Sequence, residues 1–216
     1  MKNRHSRRGH GGVPRRKPPR RPFKTRVLVV CEGKTERNYF NAFKREDEVT
    51  RHFAITVKRG KGGSREQIAQ SAVEHKDVSD AGYEEVWCVM DVETPAERPS
   101  LDRALTTLQQ NGIKPCLSNP AFEVWLLAHF EKTAKPFQDC DAVVAQLKKH
   151  WQKDFSADYD KADRDIFRRV RSLTDSAISN AQWVRESHHG LDKAIADCNS
   201  GTEVYLLIKR LSGNLD

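Results

Sequence analysis

The sequence predicts an α/β protein: a parallel β-sheet flanked by helices, with a mainly helical C-terminal portion and a disordered basic N-terminal tail. Three observations carry this. Short β-branched runs at 26–31 and 86–90 suit strands buried on both faces. Amphipathic stretches alternate with the strands, as crossover units require. Beyond Asn119 the pattern is helical alone.

Residues 1–26 hold eleven Lys or Arg and no acid, with Gly9, Gly11, Gly12 and four prolines. Such a segment buries too little apolar surface to offset the entropy of ordering. A tail over 1–25 and one domain over 26–216 are therefore expected, and the domain is long enough for a real core. The net charge of +8 sits wholly in the tail, because the other 27 basic residues face 30 acidic ones, a balance of −3. Arg15, Arg16, Lys17, Arg20 and Arg21 suit electrostatic contact with nucleic-acid phosphates, without sequence reading. A merely solubilising tail is the bland alternative.

The elements follow in order. RVLVVC, 26–31, is the first strand. Thr35 to Lys44 puts Tyr39, Phe40 and Phe43 on one helical face. Phe53 to Lys58 alternates as a second strand. The Gly-rich KRGKGGSREQ then ends in Ser64 with Gln67 three residues on, a capping box that starts a helix to about His75. VWCVM, 86–90, is the third strand. Ser100 is placed as the cap of a helix through Gln110, which Asn111-Gly112 ends. Ile113–Leu117 is a short strand that Pro115 assigns to a sheet edge. Helices are expected near 121–131, 141–151, 162–171, 174–187 and 202–211. The α/β core thus spans 26–118 and the helical portion 119–216, with no internal repeat.

Composition also excludes functions. The five cysteines are scattered without a CxxC pair, which argues against a zinc site and against a disulfide framework. The basic start lacks the apolar stretch of a secretory signal, and no run approaches the ~20 residues of a membrane span. A reduced, cytoplasmic protein with no membrane association is expected.

The stretch VLVVCEGKTE, Val27 to Glu36, carries the chemistry. A phosphate-wrapping loop needs G-x-x-x-x-G-K-[ST], but the position of its first glycine is Leu28, inside the strand. Gly33-Lys34-Thr35 is therefore a strand-to-helix turn. Its carboxylates matter more. Glu32 stands at the tip of the first strand and Glu36 in the first turn of the helix. Asp91 and Glu93 follow the VWCVM strand, and period-2 alternation points both the same way while strand geometry persists. Ligand sites of open α/β sheets gather at the carboxyl ends of strands. Four crowded carboxylates resist joint ionisation unless a hard cation such as Mg²⁺ or Mn²⁺ joins them. Ordinary helix-start acids are the bland alternative.

VVCEGKTE followed by CVMDVE resembles the Toprim pattern of a strand-end Glu-Gly and a later Asp-x-Asp, with Glu93 in place of the second Asp. SNPAFEVWLLAHF (118–130), YDKADRDIF (159–167) and NSGTEVYLLIKRL (199–211) resemble blocks of the RloB-like family. The resemblance covers nearly everything after residue 26. It implies a Toprim-like fold and a role in prokaryotic defence or restriction loci, beside a RecF- or ABC-like ATPase partner. Related Toprim effectors are nucleases. On this reading one ion is held by Glu32 and Glu36 and a second by Asp91 and Glu93, for phosphodiester hydrolysis of DNA or RNA; Glu32 as the general base, with a single ion sufficing, is the alternative.

Other residues are candidates beside these. Glu123, alone in an apolar helix, either joins the site or forms a buried salt bridge. Lys161 either neutralises charge developing on a phosphoryl group or is simply solvated. Arg59, Lys61 and Arg65 either grip a phosphodiester backbone or belong to a plain loop. His129, Trp87, Trp151 and Trp183 are expected in the core. No tyrosine-bearing second domain accompanies the acids, so a topoisomerase is disfavoured. The rivals are a non-catalytic nucleic-acid- or ATPase-binding subunit and a protein-interaction module. A homo-oligomer stays open.

Overall fold

Four short strands pair in parallel in the order β2-β1-β3-β4 in the computed structural model, which describes residues 23–78, 82–186 and 193–213. They are β1 (Thr25–Cys31), β2 (Phe53–Arg59), β3 (Glu85–Asp91) and β4 (Lys114–Ser118). Val27 to Cys31 are fully buried, as a central strand covered on both faces requires. The register aligns Cys31 with Val89 of β3 and with Arg59 of β2. The chain leaves β1 toward β2, then returns to place β3 on the other side. The sheet therefore switches direction between β1 and β3.

The two faces are covered differently. On one face lie α1 (Lys34–Phe43) and the later helices α5 (Glu123–Ala128), α6 (Cys140–Phe155), α7 (Ile166–Val170), α8 (Thr174–Val184) and α9 (Val204–Leu211). Val27, Val29 and Cys31 meet Tyr39, Phe40, Trp125, Trp151, Phe167 and Leu207 there. Tyr39 stands edge-on to Phe122 and Phe167, the favourable arrangement for aromatic quadrupoles. On the other face, Leu28, Val30, Cys88 and Met90 pack on α3 (Arg65–Asp77) and α4 (Arg98–Gln110). This is the α/β class the alternating pattern predicts, with helices after Asn119.

Local signals account for most boundaries. Ser64 Oγ accepts the Gln67 N–H, and the Gln67 amide oxygen accepts the Ser64 N–H, so the capping box forms. Gly112 closes α4 at φ +63°. Pro115 sits on the outermost strand, where its missing N–H costs least. Other boundaries differ from the expectation. β1 begins at Thr25, one residue earlier. α4 begins at Arg98, behind a single 3₁₀ turn, and Ser100 turns its hydroxyl to Glu66 rather than capping. A short helix, α2 (Asp47–His52), was not anticipated, because six residues show too little periodicity. The 162–171 helix shrinks to α7 because 159–165 form a loop fastened to α1. Trp151 is core, whereas Trp87 and Trp183 are half-buried with Lys114 and Lys132 over their rings. No described helix is long and apolar enough to cross a membrane. Arg15, Arg16, Lys17, Arg20 and Arg21 lie outside the described residues.

Candidate active site

In a sheet that reverses its winding between β1 and β3, the crevice beyond the carboxyl ends of those two strands is where ligands collect. Glu32 follows β1 directly and Asp91 ends β3. Their neighbourhood is direct: Glu32 Oε2 accepts the Asp91 N–H at 3.1 Å. Asp91 Oδ1 in turn accepts the Phe122 N–H at 2.8 Å, tying the end of β3 to the segment that enters α5. That segment delivers Glu123, which is buried. Glu36, also buried, turns back to accept the Gly33 N–H at 3.1 Å. Glu32 and Asp91 keep part of their surface open to solvent.

The four carboxylates feel one another. Burial, and then the charges of Glu36, Glu32 and Glu123, push the Asp91 carboxyl well above its ordinary range. Glu36 is pushed up to about 7, by burial and then by Glu123 and Glu32. Burial raises Glu32 as well, opposed by the Asp91 N–H and the Arg65 charge and reinforced by the charge of Glu93. Glu32, Glu36, Asp91 and Glu123 thus form the inner group, with Glu93 acting on Glu32 from its rim.

Glu93 lies outside the inner group. Strand geometry ends at Asp91, and Glu93 adopts φ +58°, so the period-2 argument fails two residues too early. Its carboxylate, 46% exposed, pairs with Arg65 Nη2 at 2.7 Å. Arg65 is likewise no phosphate grip. Its buried guanidinium donates to the carbonyls of Asp91 and Val92 and pairs with Glu93 and Glu97. Arg59 and Lys61 are exposed, and Arg59 Nε reaches the Glu32 carbonyl at 3.4 Å. Glu93→Gln is therefore expected to leave Mn²⁺ affinity within about twofold by calorimetry and to cost about 1 kcal/mol or less in denaturant, as a half-exposed pair should.

Lys161 reaches the site from the other side. Its Nζ lies 3.5 Å from Glu123 Oε1 and 3.1 Å from Cys140 Sγ. Burial pulls its pKa down, yet the Glu123 charge and Cys140 raise it overall, so the ammonium is held charged. Tyr159 OH donates to Glu123 Oε1 at 3.0 Å, a contact the sequence signals only through the Tyr-Asp-Lys spacing. The loop that carries both is fixed to α1, because Thr35 donates to the Lys161 carbonyl and Asn38 to those of Ala162 and Asp163. Asn119, which sequence reasoning left without a role, anchors the α5 approach through the carbonyls of Ile195 and Ala196.

A family described as RloB-like protein has a sequence model that matches residues 27–211, most of the chain. The chain belongs to the RloB-like family. Among curated proteins and among solved structures, nothing matches it. The blocks that resemble this family supply Glu123, Tyr159 and Lys161, and the Asn199–Leu211 block closes the β4 edge. There Ser118 and Thr202 share a hydroxyl hydrogen bond at 2.8 Å, and Glu203 Oε2 accepts the Leu117 N–H.

The donors suit a hard divalent cation. Glu32 and Asp91 each engage one oxygen with a backbone N–H, and carboxylate oxygens are what Mg²⁺ and Mn²⁺ prefer. Mutual repulsion of the group is relieved by a positive charge among them. Among the described residues no three His, Cys, Asp or Glu side chains form a ready-made metal cage, so the fit rests on donor chemistry and crowding. Gly33 matters to this arrangement, since a Cβ there would lie 2.3 Å from Glu36 Oε2. With Glu36 buried, its carboxylate has little room to yield. Gly33→Ala should weaken Mn²⁺ binding about tenfold, as disturbed supporting contacts do, measured by calorimetry.

His129 is the core residue expected. It is buried, its Nδ1 lies 2.9 Å from the Trp125 carbonyl, and burial lowers its pKa from 6.5 to about 4. A folded pKa below the unfolded value gives stability that is complete above pH 6.5. That stability drains as pH falls toward 4, because only the unfolded chain takes the proton. The loss is about 3 kcal/mol. Thermal melts across this range should show His129→Phe losing less stability on acidification than wild type.

Proposed function

We propose that the protein hydrolyses phosphodiester bonds of a nucleic acid, using a divalent cation held by Glu32, Glu36 and Asp91. One observation carries this reading: carboxylates from β1, α1, β3 and α5 gather at the switch point of the sheet, with a lysine beside them. Such a cation, when bound, supplies Lewis acidity toward a phosphoryl oxygen and a more acidic water.

The chain's own residues divide the remaining work. Asp91 and Glu32, partly open to solvent, meet the incoming phosphodiester first. Glu36 is buried behind them and would complete the oxygen ligands of the cation. Lys161 offers a fixed positive charge to the oxygen that gains negative charge in the transition state. Glu123 and Tyr159 position that lysine. The pairing of Glu93 with Arg65 supports the single-ion form of this reading. Resemblance to the RloB-like family supports placing this activity in a prokaryotic defence locus beside an ATPase partner.

The deciding experiment incubates the full chain with Mg²⁺ or Mn²⁺ and single- and double-stranded DNA and RNA, tRNA included, with and without the ATPase. Cleavage that disappears in Glu32→Gln is the expected result. Failure of every substrate, together with no Mn²⁺ heat in calorimetry, would refute the reading in favour of a binding subunit.

A further inference from the structure

Six cations, of which only Arg59 stands out in sequence, meet on one side of the carboxylate cluster. A groove of about 630 Å³ is lined by Arg37 and Arg45 of α1, Lys58 and Arg59 at the end of β2, and Arg164 and Arg168 around the start of α7. Its one acid, Asp165, is already paired with Arg168. Arg37, Arg45, Lys58 and Arg164 have no ion-pair partner among the described residues. The contrast with the rest of the domain is what counts, since residues 27–216 carry a slight acidic excess. Concentrating six cations around one hollow, against that background, leaves a strong local field for a polyanion. Neighbouring Lys44 registers it: burial, then Arg45 and Lys58, lower its pKa.

The groove also leads to the candidate site. Arg59 touches the Glu32 carbonyl, and the loop that bears Lys161 runs directly into Arg164 and Asp165. No aromatic residue lines the groove, so it offers nothing for unpaired bases to stack on, as single-strand binders do. Charge alone, spread along a hollow, fits a phosphate backbone held by its duplex shape.

We propose that this groove is the track that holds the sugar–phosphate backbone of a nucleic-acid duplex and presents it to the carboxylates. The proposal rests on the nuclease reading for its substrate, and its test separates the two. Full-length wild type and a variant carrying Arg45→Ala, Lys58→Ala and Arg164→Ala are compared by fluorescence anisotropy in EDTA, on labelled duplex DNA, duplex RNA and single strands. The tail is present in both proteins, so the difference reports the groove. All three side chains are exposed, and a thermal melt verifies the fold.

Each phosphate contact contributes about 0.9 to the slope of log affinity against log salt. The variant should lose about 2 to 3 from that slope and about 10- to 100-fold in affinity on a duplex, equally across sequences. The tighter of the DNA and RNA duplexes identifies the source of the backbone. Unchanged affinity and slope on both duplexes would overturn the proposal. So would tighter binding of single strands, or of polyglutamate, than of either duplex. Mn²⁺ calorimetry runs in parallel. The groove variant should keep its Mn²⁺ heat, whereas Glu32→Gln should lose it and keep duplex affinity, so either reading can fail alone.

Discussion

Asp91→Asn is expected to make the metal-free protein more stable and, on the proposed hydrolase reading, to abolish cleavage. Asparagine keeps the Oδ1 that accepts the Phe122 N–H, so the link from β3 to α5 survives. What it removes is a charge that burial and three neighbouring carboxylates disfavour. The sign follows from linkage. A carboxyl whose folded pKa is raised binds its proton more tightly in the folded chain, so its stabilising contribution is complete at low pH and is lost as pH rises through that raised value. Above neutrality, without metal, the variant should therefore melt at least ~2–4 °C higher than wild type, the shift that ~1 kcal/mol produces at this chain length. The gap should close as pH falls. Adding Mn²⁺ should reverse the order, because wild type gains stability by mass action and the variant does not. Cleavage should fall at least about 100-fold. A variant that is less stable than wild type in EDTA at pH 8 would mean that the acids do not crowd one another, and the metal reading would lose its driving force.

How much of this was legible in the sequence divides along physical lines. Strand interiors were readable, since VLVVC and VWCVM leave no other way to bury their side chains. Glu32, Glu36 and Asp91 were readable because their distance from a strand end fixes which rim they reach. Glu93 was not, because a single residue at positive φ redirects the chain and no local pattern announces it. Apart from Arg59, the groove cations were invisible for another reason: 37–45, 58 and 164–168 are distant in sequence, and only the docking of the 159–165 loop on α1 brings them together. Charge density along the chain drew attention to the tail instead.

Arg65 shows the same limit from the stability side, and its replacement should be the most damaging to the fold. In sequence it is one more cation in a Gly-rich basic loop. In the structure it is buried at the start of α3, and its guanidinium splints the strand exit that carries the site. Nε donates to the Asp91 carbonyl at 2.9 Å and Nη2 to the Val92 carbonyl at 3.3 Å, while Glu93 and Glu97 receive the outer edges of the fork. Arg65→Ala takes the guanidinium donors away from two carbonyls and opens a gap beside β3. Each buried carbonyl left without its donor costs about 1–3 kcal/mol, while the half-exposed Glu93 and Glu97 rehydrate. Arg65→Lys should recover little of this, because a single ammonium cannot reproduce a planar fork that serves four acceptors. The loss should reach the site as well: with the Asp91 carbonyl released, the carboxylate three bonds away is no longer aimed, and Mn²⁺ affinity should drop about 10-fold or more even at temperatures where the variant is folded. Urea midpoints and calorimetry on the same samples separate the two effects. Should Arg65→Ala unfold at the wild-type midpoint, the splint would be dispensable, and the geometry of the β3 exit would have to be set by the Phe122 N–H and the Glu32 contact alone.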